Sequence, residues 1–344
     1  MQYRTLGPTG TVVSTLCLGT MTFGDETAEE GAHAQLDRFV EAGGTFVDTA
    51  DVYARGVSEE IIGRWLAARP GVRDHLVIAT KARFPMGPGA NDAGLSRVHL
   101  TRALDASLRR LGVDVVDLYQ AHAWDPMTPI EETLRFYDDA VRAGKIRYVG
   151  VSNFVGWQVQ KAVLLARTGG LAPIVTVQPQ YNLLARDIEH EVVPVCLSEG
   201  LGILPWSPLG GGWLTGKYRR DTAPTGATRL GENPARGVEA YAGRNASSRT
   251  WEVVDAVGSV ADGRGDSMAA VSLAWLAGRP AVTSVILGAR TVSQLEDNLA
   301  AADLVLSPEE TALLDGASAP EVADYPYGRA GVDQQARRLP GVPA

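Results

Sequence analysis

Short apolar runs alternate with longer amphipathic stretches along almost the whole chain. Residues 16–21, 45–48, 76–80, 115–121, 146–151, 174–178, 202–206 and 284–288 read as strands. Most are apolar nearly throughout, the pattern of strands covered on both faces. Between and after them, 28–42, 58–68, 98–110, 130–143, 156–168, 188–199, 248–262, 268–277, 292–301 and 308–315 show helical spacing. Several of these helices stop at glycine, as at Gly43, Gly112, Gly144, Gly169 and Gly200. Residues 2–16 predict a hairpin around a Gly7-Pro8-Thr9-Gly10 turn. Strands alternating with helices imply parallel βαβ units, and eight such units imply a closed barrel. The expected fold is α/β, a single (β/α)8 TIM barrel with an N-terminal β-hairpin. One domain spans 1–344, with a core of about 16–305 and a tail of about 318–344. An open doubly wound sheet is the rival. The first strand lacks the glycine-rich turn that such sheets use for dinucleotides.

Three stretches exceed plain connections: 82–95, 209–247 and 318–344. Long loops in compact domains usually serve function. The first and third are expected to rim a substrate pocket. The second opens on Gly210-Gly211-Gly212, where backbone N–H groups can approach an anion closely.

Composition narrows the function. The 344 residues carry a net charge of −8, with 45% hydrophobic and 21% charged residues. A large core is expected, and an acidic chain offers no footprint for nucleic acid or an anionic membrane. Cys17 and Cys196 sit far apart in apolar runs and read as buried thiols of a reducing compartment. No basic region followed by an apolar run marks the N-terminus, so the expected location is cytoplasmic. Gly211 to Lys217 has the spacing of a nucleotide-triphosphate loop, but Tyr218 stands where the magnesium hydroxyl is needed. His190-Glu191 opens like a zinc-protease motif, but Pro194 replaces its second histidine. No metal is expected.

The chemistry gathers at strand ends. Asp48 ends the second strand, with Tyr53 five residues on; Lys81 ends the third and His122 the fourth. The C-terminal ends of barrel strands open onto one face, so the four groups should converge. A phenol ionises near pH 10, and a cation beside it lowers that value. Lys81 can supply the cation and Asp48 can hold it in place. His122 can bond a carbonyl oxygen or assist proton transfer. The set suits reduction of a carbonyl, and since no side chain carries hydride, a cofactor must.

These residues resemble the aldo-keto reductases over about 2–315. The matching segments include 19–24 (Gly-Thr-Met-Thr-Phe-Gly), 46–53 (Phe-Val-Asp-Thr-Ala-Asp-Val-Tyr), 79–81 (Ala-Thr-Lys) and 108–112 (Leu-Arg-Arg-Leu-Gly). Further on come 117–120 (Asp-Leu-Tyr-Gln), 144–154 (Gly-Lys-Ile-Arg-Tyr-Val-Gly-Val-Ser-Asn-Phe), 206–209 (Trp-Ser-Pro-Leu) and 288–290 (Gly-Ala-Arg) with Gln294 and Asn298. The resemblance implies a barrel that binds NADP(H) without a Rossmann domain. It implies Tyr53 as general acid, tuned by Lys81 and Asp48, with His122 orienting the carbonyl. Thr20, Met21, Ser152, Asn153 and Gln178 would line the cofactor, the last three around the nicotinamide amide. Trp206 would stack on the ring, where many members have tyrosine. Ser207, Leu209 and Gly210 would hold the pyrophosphate, and Gly288, Arg290, Gln294 and Asn298 the 2′-phosphate end. Phe84 and Trp124 would line the substrate pocket. The expected activity is NADPH-dependent reduction of an aldehyde, ketone or keto-sugar. The partner is then a small carbonyl substrate, with no nucleic acid or membrane, and a homo-oligomer is left open. The alternatives are a cofactor-binding regulatory subunit, resembling the β subunits of potassium channels, and an enzyme acting on nucleotide-linked deoxysugars.

Overall fold

The computed structural model describes residues 1–226, 228–235 and 237–335. Strands β1 (Tyr3–Thr5) and β2 (Val12–Ser14) pair antiparallel as the expected hairpin. Then follow β3 (Leu16–Gly19), β4 (Phe46–Asp48), β5 (Val77–Ala82), β6 (Val116–Ala121), β7 (Ile146–Ser152), β8 (Ile174–Gln178), β9 (Gly202–Ile203) and β10 (Val285–Leu287). These eight form one parallel sheet in the order β10-β3-β4-β5-β6-β7-β8-β9. Its ends meet. Ile203 N donates to Ala281 O at 2.8 Å, Thr283 N to Ile203 O at 2.9 Å, and Ile286 N to Pro205 O at 3.0 Å. The ring closes as a (β/α)8 barrel, with helices between the strands on its outside.

Helix starts follow the local chemistry. Ser96, Ser267, Thr291 and Ser307 each accept a backbone N–H three residues on, contacts worth ~1 kcal/mol apiece. Side-chain alternation then divides the apolar residues. Cys17, Phe46, Val77, Ala79, Leu118, Val175, Leu204 and Ile286 fill the barrel interior. The larger core lies between the sheet and the helices. Leu6 and Val13 of the hairpin join the interior cluster, and Ser14 N donates to Thr45 Oγ1 at 2.9 Å. The hairpin thus seals the end where the strands begin. Gly7 has φ +56°, and a Cβ there would strike the Val175 carbonyl, so only glycine lets the turn seat this deeply. The opposite end is left for the site.

Three expectations change. The strand expected over 202–206 is continuous only at Gly202–Ile203; Pro205 has no N–H to continue the ladder, and pairing resumes at Trp206, whose N–H donates to Pro179 O at 3.0 Å. The helix expected over 188–199 is a turn of 3-10 helix, Asp187–His190, followed by Val192–Glu199. The stretch 209–247, expected to be irregular, contains Gly210–Thr215, Arg229–Glu232, Gly237–Glu239 and Tyr241–Ala246 as short helices. It has an apolar cluster of its own in Trp213, Tyr218, Leu230 and Tyr241, joined by Trp251 and Val254 of the next helix. In the tail, Arg329–Gln335 is helical; 336–344 lie outside the described residues. Among the described residues no helix is long and apolar enough to cross a membrane.

Candidate active site

Parallel register carries Asp48, Lys81 and His122 to one end of the barrel. Asp48 lies beside Ala79 and Lys81 beside Gln120. With Val77 and Ala79 facing inward, period 2 turns Lys81 inward too. Its side chain is 0% exposed. All three ammonium protons find acceptors: Asp48 Oδ2 at 2.6 Å, Thr49 O at 2.7 Å and Tyr53 Oη at 3.3 Å. The second carboxylate oxygen of Asp48 accepts from Gln178 Nε2 at 2.9 Å and Gln120 Nε2 at 3.3 Å. Burial opposes the charge on Lys81, but Asp48 and then Tyr53 outweigh it, and its pKa lies above the ordinary lysine value.

Tyr53 begins a short 3-10 turn just past β4. Its ring meets the imidazole of His122 edge to face, with centroids 5.8 Å apart. The sequence leads to a lowered phenol pKa, and the structure corrects this. Burial pushes Tyr53 up, Lys81 pulls it down, Asp48 pushes up again, and the net is upward. Tyr53 therefore keeps its proton at neutral pH. Lys81 donates to the phenolic oxygen, which leaves the O–H itself available to another acceptor. His122 is held neutral: burial, Lys81 and Arg83 all push its pKa well below the usual imidazole value. Its Nδ1 is buried with no partner. A neutral imidazole, a protonated phenol and a fixed ammonium form one cluster.

Around them, Asn153 adopts φ +55°. Its amide donates to His122 O at 2.9 Å and Ser152 Oγ at 3.0 Å, while Oδ1 accepts from Trp206 Nε1 at 3.1 Å. Ser152 Oγ donates to Gln178 O at 2.8 Å. These four expected residues thus stand together beside the acid–base cluster. Thr20 is fully buried, its hydroxyl engaged by Asp48 O and Ser58; Met21 is 39% exposed. Phe84 packs edge-on against His122, centroids 4.7 Å apart. Trp124 packs against Phe154 and Trp157.

A second group lies past β9 and β10. Gly210, Gly211 and Gly212 all have positive φ. A Cβ on Gly212 would collide with the end of the Lys217 side chain, which lies directly against the glycine backbone. Partial burial, Arg290 and Arg229 push the Lys217 pKa down, the mark of a cationic cluster. These features fit a polyphosphate. Leu209 is half-buried beside them. Ser207 Oγ, however, donates to Glu239 Oε1 at 3.2 Å. The Arg290 fork is also filled, by Glu26 Oε2 at 2.6 Å and by both oxygens of Glu232 at 2.5 and 3.0 Å. Gln294 Oε1 accepts from Arg290 N at 2.9 Å, and Asn298 Nδ2 donates to Gly288 O at 3.2 Å.

Several groups were missed in the sequence. Gln120 and Arg83 stand two residues from His122 and Lys81, so period 2 alone could have placed them on the same face. Asp51 is 0% exposed, and neither carboxylate oxygen has a hydrogen-bond partner. Burial and Glu59 push it up to about 7. Only tertiary packing reveals that.

The Aldo/keto reductase family profile matches residues 15–319. The chain is 38% identical over 317 residues to the uncharacterized oxidoreductase YrpG of Bacillus subtilis, covering 90% of this chain and 93% of the relative. It is 38% identical to a probable voltage-gated potassium channel subunit beta of Arabidopsis thaliana, covering 89% of this chain and 92% of the relative. It is 34% identical to the aryl-alcohol dehydrogenase [NADP(+)] of Phanerodontia chrysosporium, covering 95% and 88%. Strand ends, barrel and relatives agree: the chain belongs to the aldo/keto reductase family.

Proposed function

We propose that the protein is an NADPH-dependent carbonyl reductase in which Tyr53 is the proton donor. The observation that carries this reading is the contact of a fully buried, ion-paired Lys81 ammonium with the Tyr53 hydroxyl oxygen at 3.3 Å. Bound nicotinamide would supply the hydride to the carbonyl carbon. Tyr53 gives its proton to the carbonyl oxygen as that oxygen gains charge. The resulting phenolate stays beside Lys81, which stabilises it before a proton returns from solvent. Neutral His122 donates its single N–H to the same oxygen and fixes its position. Asp48 keeps Lys81 charged and in register. Ser152, Asn153 and Gln178 would meet the nicotinamide amide, and Trp206 its face. Gly210–Gly212 and Lys217 would cradle the pyrophosphate, with Arg290 at the 2′-phosphate.

Tyr53→Phe tests the assignment, because it removes the proton and little volume. NADPH oxidation against aldehydes should fall ~10²–10⁴-fold, while NADPH binding, read by fluorescence quenching, persists. Retained turnover would overturn the role of Tyr53. The second reading, a cofactor-binding subunit, draws support from the channel-subunit relatives. Tight NADPH binding by the wild type, with no turnover across aldehydes, ketones and sugars, would favour it.

A further inference from the structure

Arg83 follows Lys81 by two residues at the end of β5, past the point where the strand leaves the ladder. It is half-buried. Among the described residues it makes no side-chain hydrogen bond, and no carboxylate lies within ion-pair distance of it. Its Nε is sealed from solvent without a partner; its terminal nitrogens, equally unpartnered, therefore reach solvent. The guanidinium carbon sits 5.2 Å from the Phe84 ring centroid, and that ring stands 4.7 Å from His122. Two short steps link a free cation to the group that would face the carbonyl.

The surroundings make this unusual. Arginine is strongly prone to forked pairing with carboxylates, and a half-buried one without a partner forgoes that stabilisation. Asp125, whose carboxylate the Arg83 charge helps keep ionised, directs its oxygens elsewhere. Its oxygens accept from Leu95 N at 2.8 Å, Met127 N at 3.0 Å and Thr128 Oγ1 at 2.6 Å. At the mouth, Lys81 and Asp48 cancel, and His122 and Tyr53 are neutral. None of these four groups offsets the charge of Arg83; the anion that feels it is Asp125, at longer range than an ion pair. The phosphate cradle cannot be its purpose, because that lies past β9 and β10, across the ring from β5.

Resting on the carbonyl-reductase reading, we infer that Arg83 receives a carboxylate carried by the substrate. A single guanidinium matches a monoanion. Phe84, in contact with both Arg83 and His122, favours a planar body between anion and carbonyl. The substrate class is then an aldehyde or ketone bearing a carboxylate about one aromatic ring away from the carbonyl. Arg83 positions this substrate; it takes no part in moving hydride or proton.

The test compares 4-carboxybenzaldehyde with its neutral methyl ester in wild type, Arg83→Met and Arg83→Lys. Wild type should prefer the acid in kcat/KM by about 10- to 100-fold, the scale of a charge-assisted hydrogen bond. The preference should fall to near one in Arg83→Met, mostly through KM, and be partly kept by Arg83→Lys. A wild-type ratio near one, or a ratio kept in Arg83→Met, overturns the inference. If the wild type reduces neither aldehyde, the reductase reading is decided separately, by turnover of other aldehydes, ketones and sugars. Benzoate titrated against tryptophan fluorescence then still decides Arg83. Saturable binding lost in Arg83→Met supports the inference; no binding, or equal binding, overturns it.

Discussion

Asp48→Asn isolates the group that holds the site's one fully buried cation. The substitution keeps size and shape, and the remaining amide oxygen can still accept from Gln178 and Gln120. The loss falls on the 2.6 Å contact to Lys81, whose ammonium would meet an amide N–H in place of a carboxylate. Removing one partner of a buried pair costs ~3–5 kcal/mol. The lower end is expected here, since Thr49 O and Tyr53 Oη continue to accept from Lys81. Lys81→Met in the same background removes the stranded charge, so the double variant should be more stable than Asp48→Asn alone. Urea unfolding followed by tryptophan fluorescence measures all three. The pH dependence has a fixed sign. The Lys81 pKa is raised in the folded state, so the pair stabilises fully below the unfolded lysine value of ~10.4. That stabilisation is lost as pH rises through the folded value. The gap between wild type and Asp48→Asn should therefore be constant from neutral pH to ~10 and narrow above it. A loss under ~1 kcal/mol, or a double variant worse than the single, would refute the dependence of Lys81 on Asp48.

Two further outcomes concern other charges. Arg290→Ala should weaken NADPH binding toward the low end of ~1.5–3 kcal/mol, because Glu26 and Glu232 already occupy the fork, and should leave NADH nearly unchanged. Glu232→Gln should tighten NADPH selectively, and paired titrations with both cofactors decide; equal shifts for both would deny Arg290 a phosphate-reading role. Asp51 has a raised pKa of about 7, so its stabilising protonation is complete below the unfolded aspartate value of ~3.9 and is lost as pH climbs through 7. Asp51→Asn should flatten the stability curve between those limits, as read by thermal unfolding across pH, and an unchanged curve would place the titration elsewhere.

The barrel was legible because its strands are buried on both faces and its helices end on glycines, two signals that need no tertiary knowledge. The convergence of Asp48, Tyr53, Lys81 and His122 was legible because three of them stand at the ends of consecutive strands and Tyr53 follows five residues after the first. What local pattern cannot carry is the balance of burial against charge. Tyr53 beside a lysine reads as an acidified phenol, yet its surroundings exclude enough water to reverse the sign. The Arg290 fork was equally opaque. Glu232 lies 58 residues away in sequence, in a stretch whose glycines and polar residues gave no hint of its short helices. Arg83 could have been found, since alternation along β5 places it with Lys81. Its lack of a partner could not.

The aromatic cluster under 209–247 bears on how a ligand would leave. A connection without a core melts and re-forms residue by residue on fast timescales. This one packs Trp213, Tyr218, Leu230 and Tyr241 against Trp251, and Glu239, 3% exposed, ties it to Ser207 and Arg244. Its ordering entropy is met when the chain folds, not when a ligand arrives. Movement of this stretch would then be a concerted event in the slower range of protein motion, and the amides packed on the cluster would exchange with solvent as one cooperative unit.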